Sequence, residues 1–514
     1  MKKTTLIPWC AKCIILCSVL VISSNLFAAA PGALTITNSS LGAGRIVIGW
    51  AAETNSFSNV FFNVQRTTNL ISNFTTLTNV SESSALVYTD SVSPNGAAFY
   101  RVAESNAFTT LSQPGAFAAY DAGSTFGLNA KGYVGAVFDG HYVYFVPYNN
   151  GLGGSGTVLR LDTAGNFIDS GSWSAYDAGS TGGLDTKGFS GGVFDGRYVY
   201  FTPHLDGSSY GSAVLRFDTS SNFTSSASWS AYDAGNTSGL NTKGFIGSVF
   251  DGRYVYFVPF FNGTSFNGVV LRFDTSSNFT SSASWSAYDA GSTGGLNAKG
   301  FSGGVFDGRY VYFAPNNNGS YSSTVLRFDT TSNFTNSASW SAYNAGGTSG
   351  LNTAGYEGGV FDGRYVYFVP NFNGTAYSGA VLRLDTTGNF TSSLSWSAYD
   401  AGNTSGLNAT GFLGGTFDGR YVYFTPNANG SGNTGVVLRF DTTANFTTAA
   451  SWSAFDAGGT SGLNSAGYAG AVSDGRYIYF APLHNSGGAD GIVLRFDAKL
   501  PRAVPATVSG GSNF

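Results

Sequence analysis

Charge is scarce in this chain. Only 11% of its 514 residues are Asp, Glu, Lys or Arg, and the net charge is −4. No block of like charge occurs, which excludes the basic stripe that a nucleic acid or an anionic membrane surface would require. Cysteine is scarcer still: Cys10, Cys13 and Cys17 are the only ones, all near the start. Beyond them the chain offers no disulfide, no thiol nucleophile and no Cys-ligated metal. There are three histidines, His141, His204 and His484, and no His-x-His or His/Glu ligand spacing. Glu357 is the one Glu beyond residue 104. Acid/base cleavage of glycosides usually needs a carboxylate pair, which a lone Glu does not supply. No catalytic residue, metal ligand or cofactor is assigned on these grounds.

What is abundant is glycine, at 71 residues, and aromatics, at 16%. Such a chain has the material for packed cores and is not of disordered type. It suits many short strands joined by Gly, Asn and Ser turns. Residues 1–30 read as a secretion signal. Lys2 and Lys3 open it, Ile14 to Ile22 is apolar, and Phe27-Ala28-Ala29-Ala30 is a small-residue cleavage region. The apolar run is too short to span a bilayer, which takes about 20 residues. The short Lys-rich start is of bacterial type. Leu16 stands before Cys17 where a lipoprotein signal usually has a small residue, which argues against a lipid anchor. The expectation is export to the periplasm, cell surface or medium, without membrane insertion once the signal is removed. Residues 500–514, rich in Pro, Gly and Ser, read as a flexible tail.

One pattern recurs seven times: a small-residue run, FDGRYVYFxP, a variable loop, VLRFDT and SWSAYDAG. Its turn Asp falls at Asp139, Asp195, Asp251, Asp307, Asp362, Asp418 and Asp474, spaced by 56 residues and once by 55. A unit of this size cannot bury its apolar face alone and must pack on its neighbours. In one repeat, Gly303-Gly304-Val305-Phe306 predicts a first strand and Asp307-Gly308 a two-residue type I′ turn. Arg309 to Phe313 predicts a second strand, stopped by Pro315, with Thr324 to Asp329 and Ser339 to Tyr343 as the third and fourth. Four antiparallel strands per unit make a propeller blade. The Gly-rich first strand belongs innermost, where seven strands crowd an axis.

The chain ends predict closure. The fourth strand type occurs once before the first blade, as Ala118-Ala119-Tyr120-Asp121-Ala122-Gly123, and not at all after Asp497. Residues 117–121 are therefore expected to pair with 493–497 and supply the outer strand of the seventh blade. The fold class is all-β, a seven-bladed propeller of four-stranded blades over residues 115–499, preceded by a small β-sandwich over 31–110. In that first segment Ile46, Ile48 and Trp50 alternate with polar or small residues. Phe62/Val64, Val87-Tyr88 and Phe99 to Val102 mark further strands, and Pro94-Asn95-Gly96 marks a turn. An early strand Trp and a late strand Tyr resemble a fibronectin type III-like module, which implies a spacer or adhesive role.

Tyr312, Phe328-Asp329 and Trp340 follow one another in the order of the kelch motif. The repeat resembles the kelch family of propellers, except that Ala314-Pro315 stands where a kelch blade has a Gly pair. The resemblance implies protein or glycan binding.

Polar residues repeated in every blade are expected to be structural. Arg160, Arg216, Arg272, Arg327, Arg383, Arg439 and Arg495 are expected to bond an Asp or a carbonyl. The loop Asp289 to Asn297 carries oxygens of cation-binding type, but its Asp is expected to brace the loop. His141 replaces an Arg and is expected on a strand surface. Binding is sought where symmetry breaks, in the variable loops after strand two. The candidates are Tyr148, His204, Phe260, Phe261, Tyr321, Phe372 and His484, with Glu357 on an inner strand lining the channel. Aromatic rings with Asn on one face suit sugars, which stack on apolar faces and hydrogen-bond along their edges. The function expected is non-enzymatic binding of a glycan or protein surface. The rival is a secreted polysaccharide hydrolase or lyase at the channel mouth.

Overall fold

The computed structural model describes six strands between residues 35 and 104, residues 109–113 and residues 115–498. The expected signal, the expected tail and the Pro94-Asn95-Gly96 turn lie outside the described residues. The chain divides into two units near residue 113. In the first, β1 (Thr35–Gly42), β2 (Arg45–Ala51), β3 (Phe61–Thr67), β4 (Thr75–Ser81), β5 (Val87–Asp90) and β6 (Phe99–Glu104) form two three-stranded antiparallel sheets, ordered β1-β2-β5 and β4-β3-β6.

The second unit is the propeller, all-β with no α-helix among the described residues. It opens with β7 (Phe117–Asp121). Blade one is β8 (Tyr133–Phe138), β9 (Tyr142–Pro147), β10 (Thr157–Asp162) and β11 (Trp173–Asp177), hydrogen-bonded in that order. Blades two to six repeat it. Blade seven has Tyr468–Ser473, Tyr477–Pro482 and Ile492–Asp497 from the chain end and takes β7 as its outer strand, with Val493 opposite Tyr120 and Leu494 opposite Ala119.

Two circuits of side chains and backbone close the ring. On the inside, a Cβ added at Gly135 would lie 3.3 Å from the Cα of Gly191, and one at Gly191 would lie 2.9 Å from Gly247. The series runs on through Gly303, Gly358, Gly414 and Gly470, whose added Cβ would return to within 2.8 Å of Gly135. All seven glycines have φ between 72° and 95°, a left-handed backbone that a side chain disfavours. They occupy a β-bulge in each inner strand, between Phe189 and Gly192 in blade two for example. On the outside, the Tyr of each outer strand stacks on the Trp of the next blade, as Tyr120 on Trp173 at 5.3 Å and Tyr176 on Trp229 at 5.3 Å. At the seam, Phe117 of β7 stands in the Trp position and stacks on Phe455 at 5.4 Å.

Three local readings need correction. The turn between the first two strands has Gly308 and Arg309, not Asp307 and Gly308, as its central residues, because the Asp307 N–H bonds the Tyr310 carbonyl. The Asp307 carboxylate replaces the missing return bond, accepting from the N–H groups of Arg309 (2.8 Å) and Tyr310 (2.6 Å) and from the Tyr312 hydroxyl (2.8 Å). In blade one the Arg of strand three does not take an Asp. Arg160 donates to Ser174 Oγ at 3.0 Å, and its guanidinium lies 4.2 Å from the Tyr142 ring and 4.3 Å from Phe223 of the next blade. The turn Arg takes the Asp instead: Arg197 to Asp218 at 2.8 Å, and likewise Arg253, Arg309, Arg364 and Arg420. His141 lies in this turn and not on a strand, and its Nε2 is 2.9 Å from Asp162, where the other blades place Arg.

Candidate ligand-binding site

The loops after strand two and the loops leading into the inner strands meet on one face of the propeller. The Tyr148 N–H bonds the Gly132 carbonyl at 2.9 Å, and Asn318 Nδ2 donates to the Asn297 carbonyl at 2.9 Å. The long loop is braced from within. Asp289 accepts from the Gly291 N–H at 2.9 Å, and Asn344, the one non-Asp in this series, accepts from Gly346 at 3.0 Å. The bond needs an oxygen and not a charge. Among the described residues no cluster of three or more His, Cys, Asp or Glu could hold a metal ion.

Each loop after strand two folds into a small hairpin, bridged between Leu205 and Tyr210, Phe261 and Phe266, or Phe372 and Tyr377. This sorts the candidate residues. Phe261 packs on Tyr210 of the preceding blade at 5.1 Å and on Phe266 at 5.2 Å. Tyr321 and Phe372 meet at 5.2 Å across the boundary of blades four and five, and Phe372 meets Tyr377 at 5.4 Å. These rings fill space above glycines. An added Cβ at Gly244 would touch Tyr210 at 2.7 Å, and one at Gly355 would touch Tyr321 at 2.9 Å. Tyr210, Phe266 and Tyr377 are partners that the periodic pattern does not single out. His484 is half-buried in a two-residue strand opposite Ala489, and burial lowers its pKa.

Tyr148, His204 and Phe260 form a different set. Each directly follows the Pro that ends strand two, in three consecutive blades. Their rings form a chain, Tyr148 to His204 at 6.0 Å and His204 to Phe260 at 6.1 Å. Burial lowers the His204 pKa to about 4, so it is neutral at pH 7. Its Nδ1 is buried without a hydrogen-bond partner. The same position carries Asn316, Asn371 and Asn427 in blades four to six and Leu483 in blade seven. The ring around the channel mouth is thus divided into an aromatic and apolar arc and an amide arc. This succession after Pro was readable in the sequence, but only residue by residue against an otherwise regular repeat.

Glu357 lies at the amide arc. It sits in the bulge of its inner strand, where its residue leaves the ladder between Tyr356 and Gly359. Ser302 of the preceding blade donates its hydroxyl to one carboxylate oxygen, and Asn316 Nδ2 donates to the other at 2.9 Å. Asn316 also holds the Tyr356 carbonyl at 3.1 Å. Asn371 and Asn427 repeat that donation, to Phe412 at 3.0 Å and Tyr468 at 3.1 Å. Desolvation raises the Glu357 pKa to about 7 against the pull of its two donors. A separate cavity of about 420 Å³ opens at the outer rim between blades two and three, lined by Tyr232, Asp233, Asn236, Lys243 and Ser282. Its Asp233 is already engaged by Ser212 at 2.7 Å and by the Gly235 N–H at 2.9 Å.

No family model matches this chain, and no curated protein is significantly similar to it.

Proposed function

We propose that this chain is an exported binding protein, not an enzyme, which presents the loop face of its propeller to a glycan or a protein surface. The observation that carries this reading is the asymmetric channel mouth. The repeated polar groups are spent on internal bonds, whereas the residues after the Pro vary from blade to blade and gather rings and amides around one opening. Rings beside amide and carboxylate groups fit a partner with both apolar faces and polar edges. The kelch-like order of Tyr312, Asp329 and Trp340 supports a recognition role. The two small sheets of the first unit fit a fibronectin type III-like spacer. A broad glycan array combined with pull-down on cell surfaces tests the proposal, using the full chain. The signal is expected to fall when Tyr148 and Phe260 are together replaced by Ala. An unchanged signal refutes the reading.

A second reading is favoured by Glu357 alone, since a carboxyl group with a pKa of about 7 is suited to proton transfer. In that case the chain is a secreted polysaccharide hydrolase or lyase acting at the channel mouth. Burial raises this pKa, not a neighbouring acid, so the carboxylate pair of ordinary glycoside hydrolysis is not assembled around it. Product release from polysaccharides that disappears in Glu357→Gln would establish the enzyme over the binder.

A further inference from the structure

The seven inner strands read YVGAVF, FSGGVF, FIGSVF, FSGGVF, YEGGVF, FLGGTF and YAGAVS. Glu357 is the one charged side chain among them. The seven residues after the Pro are Tyr, His, Phe, three Asn and Leu, again without a cation. Both oxygens of Glu357 are met by neutral donors, Ser302 and Asn316, and among the described residues no Lys or Arg pairs with it. A carboxylate partly withdrawn from water is stabilised most by an opposite charge at hydrogen-bond distance, and none pairs with it among the described residues.

The neighbouring polar groups point the same way. Asn316, Asn371 and Asn427 each commit amide N–H to a carbonyl of the next blade. What they keep are acceptors, their amide oxygens. A mouth with one carboxylate, several acceptors and no cation selects a donor-rich, positively charged group. A hard metal ion is a poor fit, because it prefers a cage of oxygens with several carboxylates, and here there is one. The rings of Tyr148 and Phe260 on the opposite arc add an apolar face, and their π-faces also favour a cation.

We propose that the channel mouth binds a protonated amino sugar, with the ammonium on Glu357 and the sugar ring against the aromatic arc. This rests on the reading of the loop face as a ligand surface and names its ligand class. The full chain is titrated calorimetrically with a glucosamine tetramer, with the same tetramer N-acetylated, and with tetralysine. The free amine is expected to bind at least about tenfold more tightly than the acetylated sugar. Glu357→Gln is expected to erase that preference while the thermal transition stays cooperative. Tyr148→Ala is expected to weaken both sugars and keep the preference. Equal binding of the two sugars, an amine preference that survives in Glu357→Gln, tetralysine binding as tightly as the amino sugar, or no heat with any of the three would each overturn the proposal. If array binding depends on Tyr148 and Phe260 yet ignores both the amine and Glu357, the amino sugar is wrong and the binding face stands. If no array or surface signal depends on the face, the broader reading fails first.

Discussion

Replacing Glu357 by Gln removes the one carboxyl group of the inner strands while keeping its shape and an oxygen for Asn316 to bond. In the folded protein this carboxyl titrates near 7, against an ordinary value of 4.5, because burial outweighs the donors Ser302 and Asn316. Those two neighbours do not titrate, so the effect belongs to Glu357. A raised pKa means that the folded state holds the proton more tightly than the unfolded chain. The associated stability is complete below the unfolded pKa and is lost as pH rises through the folded one. A tenfold difference in proton affinity between the two states is worth about 1.4 kcal/mol. Since the side chain is only half-buried, the wild type is expected to lose about 2 kcal/mol between about pH 5 and about pH 8 relative to the Gln variant. Urea unfolding followed by tryptophan fluorescence measures this, because blades one to six each carry one Trp on the outer strand. Parallel stability curves for the two proteins across that range would refute the placement of Glu357 in a desolvated channel.

Asp490 is buried, with Oδ2 unpartnered and a pKa raised to about 6, mainly by desolvation and further by Asp121, against Lys131. Asp490→Asn is therefore expected to add on the order of 2 kcal/mol at neutral pH and little near pH 4, read from the same urea curves; Asn267 already occupies this position in blade three. Gly303→Ala combines a φ of 72° with a Cβ only 2.8 Å from the Cα of Gly358, and is expected to cost at least about 2 kcal/mol. Gly294→Ser, at φ 62° with nothing within 4 Å, is its control and is expected within about 1 kcal/mol of wild type, since Ser238 adopts the same backbone at φ 56°. Equal losses in these two variants would refute the crowded axis. Phe117→Ala removes the stack on Phe455 (5.4 Å) and the contact with Phe496 (4.7 Å), and is expected to lower blade-seven stability by about 2–3 kcal/mol, detected as faster hydrogen exchange in residues 492–497.

The sequence alone determined the architecture, because the period, the Asp-Gly turns and the strand-stopping Pro act over a few residues and recur seven times. It also determined the seam, since a fourth strand present before the first blade and missing after the last leaves one closed arrangement. The first unit was legible as short strands, while the order of its sheets came from pairing that only folding reveals. Tertiary structure decided which partner each repeated charge takes. Arg160 and Arg197 both lie within reach of an Asp along the chain, yet one is stacked between rings of two blades and the other forms the ion pair. It also decided the channel mouth, where Glu357 meets Ser302 and Asn316 across a blade boundary, 55 and 41 residues away in sequence. Periodicity describes what every blade shares. A contact made once, between side chains of neighbouring blades, leaves no periodic signal and emerges only when the ring has closed.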